Sequence, residues 1–547
     1  MNPFNHNYFL GYINEVTPAF VKIHFPSSNL LSKFHYKGIN FSGGNVGSFI
    51  VIEGEEFGFL ARVVELNLPD SERKIMNEKA IEHDESEFHP SGKAEILLCF
   101  SVFEPEKTQK TVAKYPSIGA KVYSCSDQQI SKYVEEFGKK DSSSIFVTIG
   151  KLASNDANCN VSLNALFGRH CAVVGTTGGG KSWTVSKLIE SVNKTTKNKV
   201  ILIDATGEYK KITTNDVVFG SNVSFPFKYL SNSDFCFLFQ EQSPNTVAAL
   251  CESIHTLKLI NLGVLQDGVK VGTKPELINR YVRDNIHRFK DCDFDITQLT
   301  TQLANECVKV TKNGYEEDSF RLGYTSHLIA RVHLFLNNEI LCSALGIANN
   351  SLSSKKKDII KIIDGFIKQD EVDILRIGFE NLAYDFAIRE IIVDFISSHL
   401  LKKARKDSFK KKPLLLFIDE AHQFLNKRVN TEEVTTFYLQ NIDLIAKECR
   451  KYGLFLCLAT QMPRDIPIGT LSQMGTFIVH RLINEQDKKA IENASAATNR
   501  NVLQFLPILG EGEALLVGVD FPMPLLIKIN TPIKPPLSDT PKFSIRK

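Results

Sequence analysis

Gly175-Thr176-Thr177-Gly178-Gly179-Gly180-Lys181-Ser182 stands between an apolar run, Cys171 to Val174, and a helical pattern that starts at Trp183. Phosphate oxygens need several donors at close range, and glycines let the backbone curl so that successive N–H groups converge on them. The unpaired N–H groups of the following helix add to the cradle. Lys181 is placed to bridge the β- and γ-phosphates, the Ser182 hydroxyl to ligate Mg²⁺, and Trp183 to continue the nucleotide-binding stretch. The other reading of these eight residues is a glycine turn in a loop. The strand before them and the helix after them favour the phosphate loop, which predicts an NTP-binding protein.

Outward from the loop, apolar strands alternate with helical segments, the pattern of a parallel α/β sheet. Expected strands are Cys171–Val174, Val200–Ile203, Val372–Ile377, Leu414–Ile418, Leu454–Ala459, Phe477–His480 and Ala514–Val517. The long interval from Lys181 to Asp419 implies an inserted helical region, with apolar positions at three- and four-residue spacing in Thr246–Ile260, Glu276–Phe289 and His327–Leu345.

Before residue 151 the period is two. Tyr12–Phe25, Val46–Glu53, Phe57–Leu68, Ala94–Phe103 and Ile145–Ile149 read as short strands of a small sheet or barrel. The division expected is a β domain over 1–150, an ATPase core over 151–214 and 371–520, a mainly helical insertion over 215–370, and an extended proline-rich tail over 521–547, with Pro522 and Pro541 among its prolines.

The chain has 547 residues, 43% hydrophobic and 23% charged, with 65 Lys and Arg against 62 Asp and Glu. That composition fits a soluble globular protein of several domains. Bulk charge does not mark a nucleic-acid binder, so any basic surface is local. Two lysine-rich stretches, Lys355–Lys357 and Lys402–Lys412, read first as solvated loops. Eleven cysteines without a CxxC pair imply reduced thiols. No apolar run approaches the ~20 residues that cross a bilayer, and the first residues lack the pattern of a secretory signal. A cytoplasmic protein with no membrane segment is expected.

Leu414–Ile418 ends in Asp419 and Glu420, so a buried strand delivers two carboxylates to the nucleotide. Asp419 is suited to hold Mg²⁺ and Glu420 to polarise the attacking water. Leu454–Ala459 ends in Thr460 and Gln461. An amide offers donor and acceptor together, fitting Gln461 to read the γ-phosphate or orient water, while a strand-to-loop cap is the alternative. Val200–Ile203 ends in Asp204-Ala-Thr-Gly-Glu208, where Asp204 and Glu208 either support the metal's water shell or form a structural turn at Gly207.

Taken together, Gly168-Arg169-His170 before the loop, Asp204-Ala-Thr-Gly-Glu208-Tyr209, Asp419-Glu420-Ala-His422, Glu448-Cys-Arg450-Lys-Tyr-Gly453, Leu458-Ala-Thr-Gln461-Met-Pro463, Leu471-Ser-Gln-Met474 and His480-Arg481-Leu482 resemble the HerA-type ATPases of the HerA/FtsK superfamily. The likeness runs from about residue 8 to 525. It implies a RecA-like P-loop core using ATP and Mg²⁺, an N-terminal HAS-barrel, and a homo-hexameric ring that moves on double-stranded DNA with a partner nuclease or other effector. DNA-end processing and defence against phage are the settings it suggests. In that reading Glu420 is the catalytic base, Gln461 reads the γ-phosphate, Arg450 matches a family arginine that reaches the neighbouring subunit's nucleotide, and Arg169 matches a family position near the site. Met462 departs from the family pattern, where arginine is frequent. A surface pairing of Arg450 with Glu448 or Asp443 is the competing reading.

Three functions are compatible with these residues: an ATP-driven DNA translocase, an ATP-gated scaffold that assembles and regulates an effector, and a peptide or conjugation motor. The absence of membrane-spanning runs argues against a tethered pump.

Overall fold

A strand can avoid an exposed edge by closing its sheet on itself, and the alternating runs before residue 125 do this. The computed structural model describes the chain apart from residues 1–2, 71–72, 74–87, 104–107, 110–113, 134–143, 154–157, 348–355, 371–372, 431–435, 496–502, 539–547 and positions 19, 127, 131, 242, 290, 291, 426 and 522. The expectations for Lys355, Val372, Pro522 and Pro541 therefore lie outside the described residues. Two units result, Met1–Lys197 with Phe455–Arg464 and Ile468–Pro535, and Asn198–Leu454 with Asp465–Pro467 and Pro536–Lys547. The fold class is the one expected, α/β with a parallel sheet, a helical insertion and a small N-terminal β-barrel.

In the first unit, antiparallel strands Val21–His24, Phe9–Val16, Lys121–Ser124, Phe49–Ile52, Phe57–Asn67 and Ser91–Ser101 pair in that order, and Ser91–Ser101 returns to Val21–His24. Alternation sends Val21 and Ile23 inward and leaves Lys22 and His24 exposed. Leu10, Ile13, Phe25, Ile50, Phe59 and Val122 fill the interior. Bulges at Ile13/Glu15, Leu60/Ala61 and Val63/Glu65 supply the bending that closure needs. Gly11 is required by close approach, since a Cβ there would stand 2.2 Å from the His24 carbonyl oxygen.

Tyr8, Phe41 and Tyr123 form a second buried cluster, with Phe4 and Phe9 packed against it. Phe4 stacks on Phe100 and Phe9 meets Tyr123 edge-on. Burying Tyr8 contributes about 2 kcal/mol. The opening aromatic residues thus serve the barrel's own packing.

The run at Ile145–Ile149, expected beside the barrel strands, is placed differently. It forms Phe146–Leu152, which pairs with Asn158–Ser162 and Leu525–Ile529 in the α/β sheet. Alternation alone cannot say which sheet a strand joins. From Asn158–Ser162 the order continues Phe146–Leu152, Leu525–Ile529, Glu513–Gly518, Thr476–Val479, Cys171–Val174 and Leu454–Thr460. The last three are parallel and the rest antiparallel. Residues 525–529, read in sequence as part of a tail, are therefore a sheet strand, and Ile533 beyond them donates its N–H to Glu190 at 2.8 Å.

The second unit holds the parallel strands Leu414–Ile418, Lys199–Asp204, Ile374–Gly378 and Asp216–Val218 in that order. The first three are buried along their lengths, which is why they read as apolar runs, broken internally only by Arg376. The insertion contains helices Pro244–Asn261, Pro275–Asn285, Leu299–Asn305, Ser319–Leu336, Glu339–Ala344 and Ile359–Lys368, with a hairpin of Val308–Thr311 and Gly314–Glu317. The helix expected over His327–Leu345 is two helices. Asn337 is the C-cap of the first, and Asn338 starts the second by accepting the Leu341 N–H at 3.1 Å. Inside the insertion Glu306 is fully buried, paired with Lys270 and bonded by Thr256 at 2.7 Å and Gln302 at 2.9 Å.

Among the described residues no helix is long and apolar enough to cross a membrane. All eleven cysteines are free thiols.

Candidate nucleotide site

The strand Cys171–Val174 is wholly buried between two parallel neighbours, so its only exit is the loop at its C-terminal end. Neighbouring strand ends anchor that loop. Thr460 O accepts the Gly175 N–H at 3.3 Å, and Arg481 O accepts both the N–H and the hydroxyl of Thr176 at 3.1 Å. Gly180 has φ +103° and is the N-cap of helix Lys181–Thr195, with no side-chain cap. A residue with a Cβ is strained at that φ, and the uncapped helix start is left to an anion. The cradle therefore fits phosphate, with Lys181 and Ser182 as the first two helical residues and Trp183 next, partly buried.

Gln461 joins the loop directly. The Thr177 hydroxyl donates to its Oε1 at 2.7 Å, so one end of the amide is held by the loop and the other is available to a ligand. Behind the loop lies His480, completely buried, with Nδ1 at 2.8 Å from the Glu513 carbonyl and Nε2 at 2.8 Å from the Thr184 hydroxyl. The sequence offered His480 as the end of a strand and as part of a family motif, with no role attached. Its signal was a titratable residue closing an otherwise apolar run.

In the second unit, Asp419 follows its strand directly and donates its N–H to Ile203 O at 3.0 Å. The register Ile203↔Ile418 sets Asp204 and Asp419 on adjacent strands. Glu420 is left-handed, with φ 48°, a conformation that costs a non-glycine residue about 1–2 kcal/mol and recurs at functional sites. Its carboxylate lies 3.3 Å from His422 Nδ1.

Asp204 is committed elsewhere. Its Oδ1 accepts N–H groups of Thr206 (3.3 Å) and Gly207 (2.8 Å), and its Oδ2 accepts those of Tyr209 (3.0 Å) and Arg376 Nε (2.7 Å). Of the two sequence readings, these bonds are those of the turn at Gly207. Glu208, in the same turn, is partly buried and accepts the Leu537 N–H on its carbonyl.

Arg376, fully buried, also reaches Asp216 at 2.6 Å and Glu380 at 2.9 Å. Burial works against its charge, but the Asp204 carboxylate and the hydrogen bonds of Asp216 and Asp204 outweigh it and raise its pKa above the ordinary arginine value. Sequence reading passed over Arg376, although a lone arginine inside a buried strand signals a buried partner.

Two further arginines were singled out in the sequence. Arg169 precedes the strand whose far end carries the loop, and it pairs with Asp520 at 3.2 Å. Arg450 lies exposed on the 3-10 turn Cys449–Tyr452. The surface pairings weighed for it are not made, because Glu448 binds Arg405 at 2.7 Å and Asp443 binds Lys447 at 2.6 Å.

Two family models match this chain, helicase HerA, central domain, over residues 147–270, and helicase HerA-like C-terminal over residues 397–543. Among curated relatives, the DNA double-strand break repair helicase HerA of Sulfurisphaera tokodaii is 28% identical over 397 residues, covering 70% of this chain and 69% of the relative. That of Sulfolobus acidocaldarius is 25% identical over 425 residues, covering 76% and 74%. Of solved structures, the unbound bacterial conjugative coupling protein TrwB is similar at TM-score 0.43 and 14% identity, covering 72% of this chain and 91% of that one.

Proposed function

The chain belongs to the HerA helicase family, an ATPase family, and from that premise we propose a homo-hexameric ring motor that hydrolyses ATP with Mg²⁺ and moves on double-stranded DNA. A partner nuclease or other effector acts with it in DNA-end processing or defence against phage, in the cytoplasm. The observation that carries the reading is the uncapped helix start at Gly180, with Lys181 and Ser182 leading the helix and Gln461 held by Thr177. Lys181 and the loop N–H groups bind phosphate. Ser182 and Asp419 hold Mg²⁺, which neutralises charge on the phosphates when bound. Glu420 takes the proton of the attacking water, and Gln461 reads the γ-phosphate.

One phosphate loop per chain and an exposed Arg450 without a carboxylate partner among the described residues support active sites completed by a neighbouring subunit. Arg169, on Asp520, is assigned to holding the strand start. The barrel, whose strands run from Phe9 to Ser124, carries no catalytic constellation and is assigned to contacts with neighbours or the effector. The core, which includes the strands Phe146–Leu152, Asp216–Val218 and Leu525–Ile529, the helical insertion between Val218 and Ile374, and the segment after Ile529 complete the proposed division.

A formal charge of only +3 does not separate this from a second reading, an ATP-gated scaffold that regulates its effector without processive movement. The ATPase rate with and without duplex DNA separates the two. Stimulation by duplex supports the motor, and a rate indifferent to duplex with no binding at low salt moves the assignment to the scaffold.

A further inference from the structure

We propose that Arg405 and Glu448 are a positioning pair that fixes the turn presenting Arg450, so that turnover depends on both although neither meets nucleotide. The proposal rests on the reading of Arg450 as a residue that reaches the neighbouring subunit's nucleotide.

The 3-10 turn Cys449–Tyr452 is held at three points. Arg405, the C-cap of helix Ile388–Ala404, donates from Nε at 3.2 Å and from its terminal nitrogen at 2.7 Å to one oxygen of Glu448, the residue before the turn. Cys449, the first residue of the turn, is fully buried. Gly453 ends the turn at φ +78°, where a Cβ would lie 2.3 Å from the Phe409 carbonyl oxygen, and its own carbonyl accepts the Leu414 N–H at 3.0 Å. Among the described residues the side chain of Arg450 makes no such contact. The carboxylates closest to it in sequence are engaged by other cations, Asp443 by Lys447 and Glu448 by Arg405. The direction in which Arg450 projects is therefore set by its backbone turn.

Arg405 and Glu448 are 47% and 37% exposed, and exposed pairs contribute little to folding stability. Catalytic placement is far more sensitive, since a misplacement of about 1 Å can cost on the order of 100-fold in rate. The two requirements separate in one experiment on the full-length assembled protein, measuring kcat, KM for ATP and the unfolding midpoint.

Arg405→Gln and Glu448→Gln are expected to lower kcat about 10-fold, with KM and the midpoint close to wild type. The charge-exchanged double variant Arg405→Glu with Glu448→Arg is expected to recover part of the loss, and Arg405→Lys to lie between. Wild-type kcat in both single variants while Arg450→Ala is inactive overturns the positioning pair and leaves the reading of Arg450 intact. Wild-type turnover in Arg450→Ala overturns that reading instead. A loss of midpoint that tracks the loss of kcat, without rescue by the exchanged pair, assigns Arg405 and Glu448 to folding and overturns the proposal.

Discussion

His480 and Thr184 are joined by a 2.8 Å hydrogen bond between the imidazole Nε2 and the threonine hydroxyl. Because the Glu513 carbonyl at Nδ1 can only accept, the ring carries its proton on Nδ1 and receives the hydroxyl's hydrogen on Nε2. One neutral ring thus ties the helix after the phosphate loop to the strand Glu513–Gly518. Burial, with the Lys181 charge acting in the same direction, lowers His480 to about 4 against the opposing bonds of Glu513 and Gly179.

Unfolded histidine titrates near ~6.5, so as pH falls from there toward 4 the unfolded chain takes up a proton that the folded chain refuses. The stabilisation is complete above ~6.5 and declines by up to about 3 kcal/mol on the way to 4. His480→Phe removes both bonds and the titration. It should lower stability at pH 7 by about 1–3 kcal/mol and flatten the loss between pH 6.5 and 4.5. Urea unfolding at the two pH values reads both effects, and an unchanged pH slope would place the titration on another group.

Lys181→Ala and Glu420→Gln should both reduce turnover by at least ~100-fold yet differ in binding. Losing Lys181 removes a charge-assisted phosphate contact, so nucleotide affinity falls. Glu420→Gln keeps the shape of the site and should retain ATP unhydrolysed. Near wild-type hydrolysis by the glutamine variant would remove Glu420 from the role of base.

Mixing Arg450→Ala subunits with Glu420→Gln subunits should restore part of the activity that each lacks alone, because some interfaces then combine an intact arginine with an intact acid. The rate of the mixture against its components is the readout. Monomers alone in sedimentation at micromolar protein with ATP would contradict the shared site.

Arg376→Met leaves Asp204 buried without its cation, with Asp216 and Glu380 also losing theirs. Breaking such a buried group from one side costs about 3–5 kcal/mol. Denaturant unfolding should show it, and a loss below ~1 kcal/mol would mean that water reaches the carboxylates.

Duplex affinity should fall steeply with salt and be indifferent to base sequence, since a motor without sequence preference holds phosphates. Titrations at low and physiological salt with two unrelated duplexes test this. A strong preference for one sequence would point to base contacts instead.

Much of this was legible in the chain. The phosphate loop and the apolar strands ending at Asp419 and Gln461 announce themselves because buried parallel strands read as unbroken apolar runs. Local pattern was silent on long-range partners. Phe146–Leu152 alternates like a barrel strand, and only its pairing with Leu525–Ile529 assigns it to the other sheet. Asp204 stayed open between metal support and a structural turn because its partner Arg376 lies far along the sequence. The packing of Phe4, Tyr8 and Phe9 could not be read from the chain for the same reason, since their partners Phe100, Phe41 and Tyr123 lie far along the sequence.

The pairing of Gly150 with Ile529 joins segments about 380 residues apart. On the ribosome, the strand Phe146–Leu152 emerges long before its partner is made, and the barrel can close well ahead of it. Until synthesis has passed Ile529, Phe146–Leu152 offers an unpaired edge to any other nascent chain nearby. Closure of this edge is therefore timed by translation, since it waits for Leu525–Ile529 while the pairing with Asn158–Ser162 is available at once.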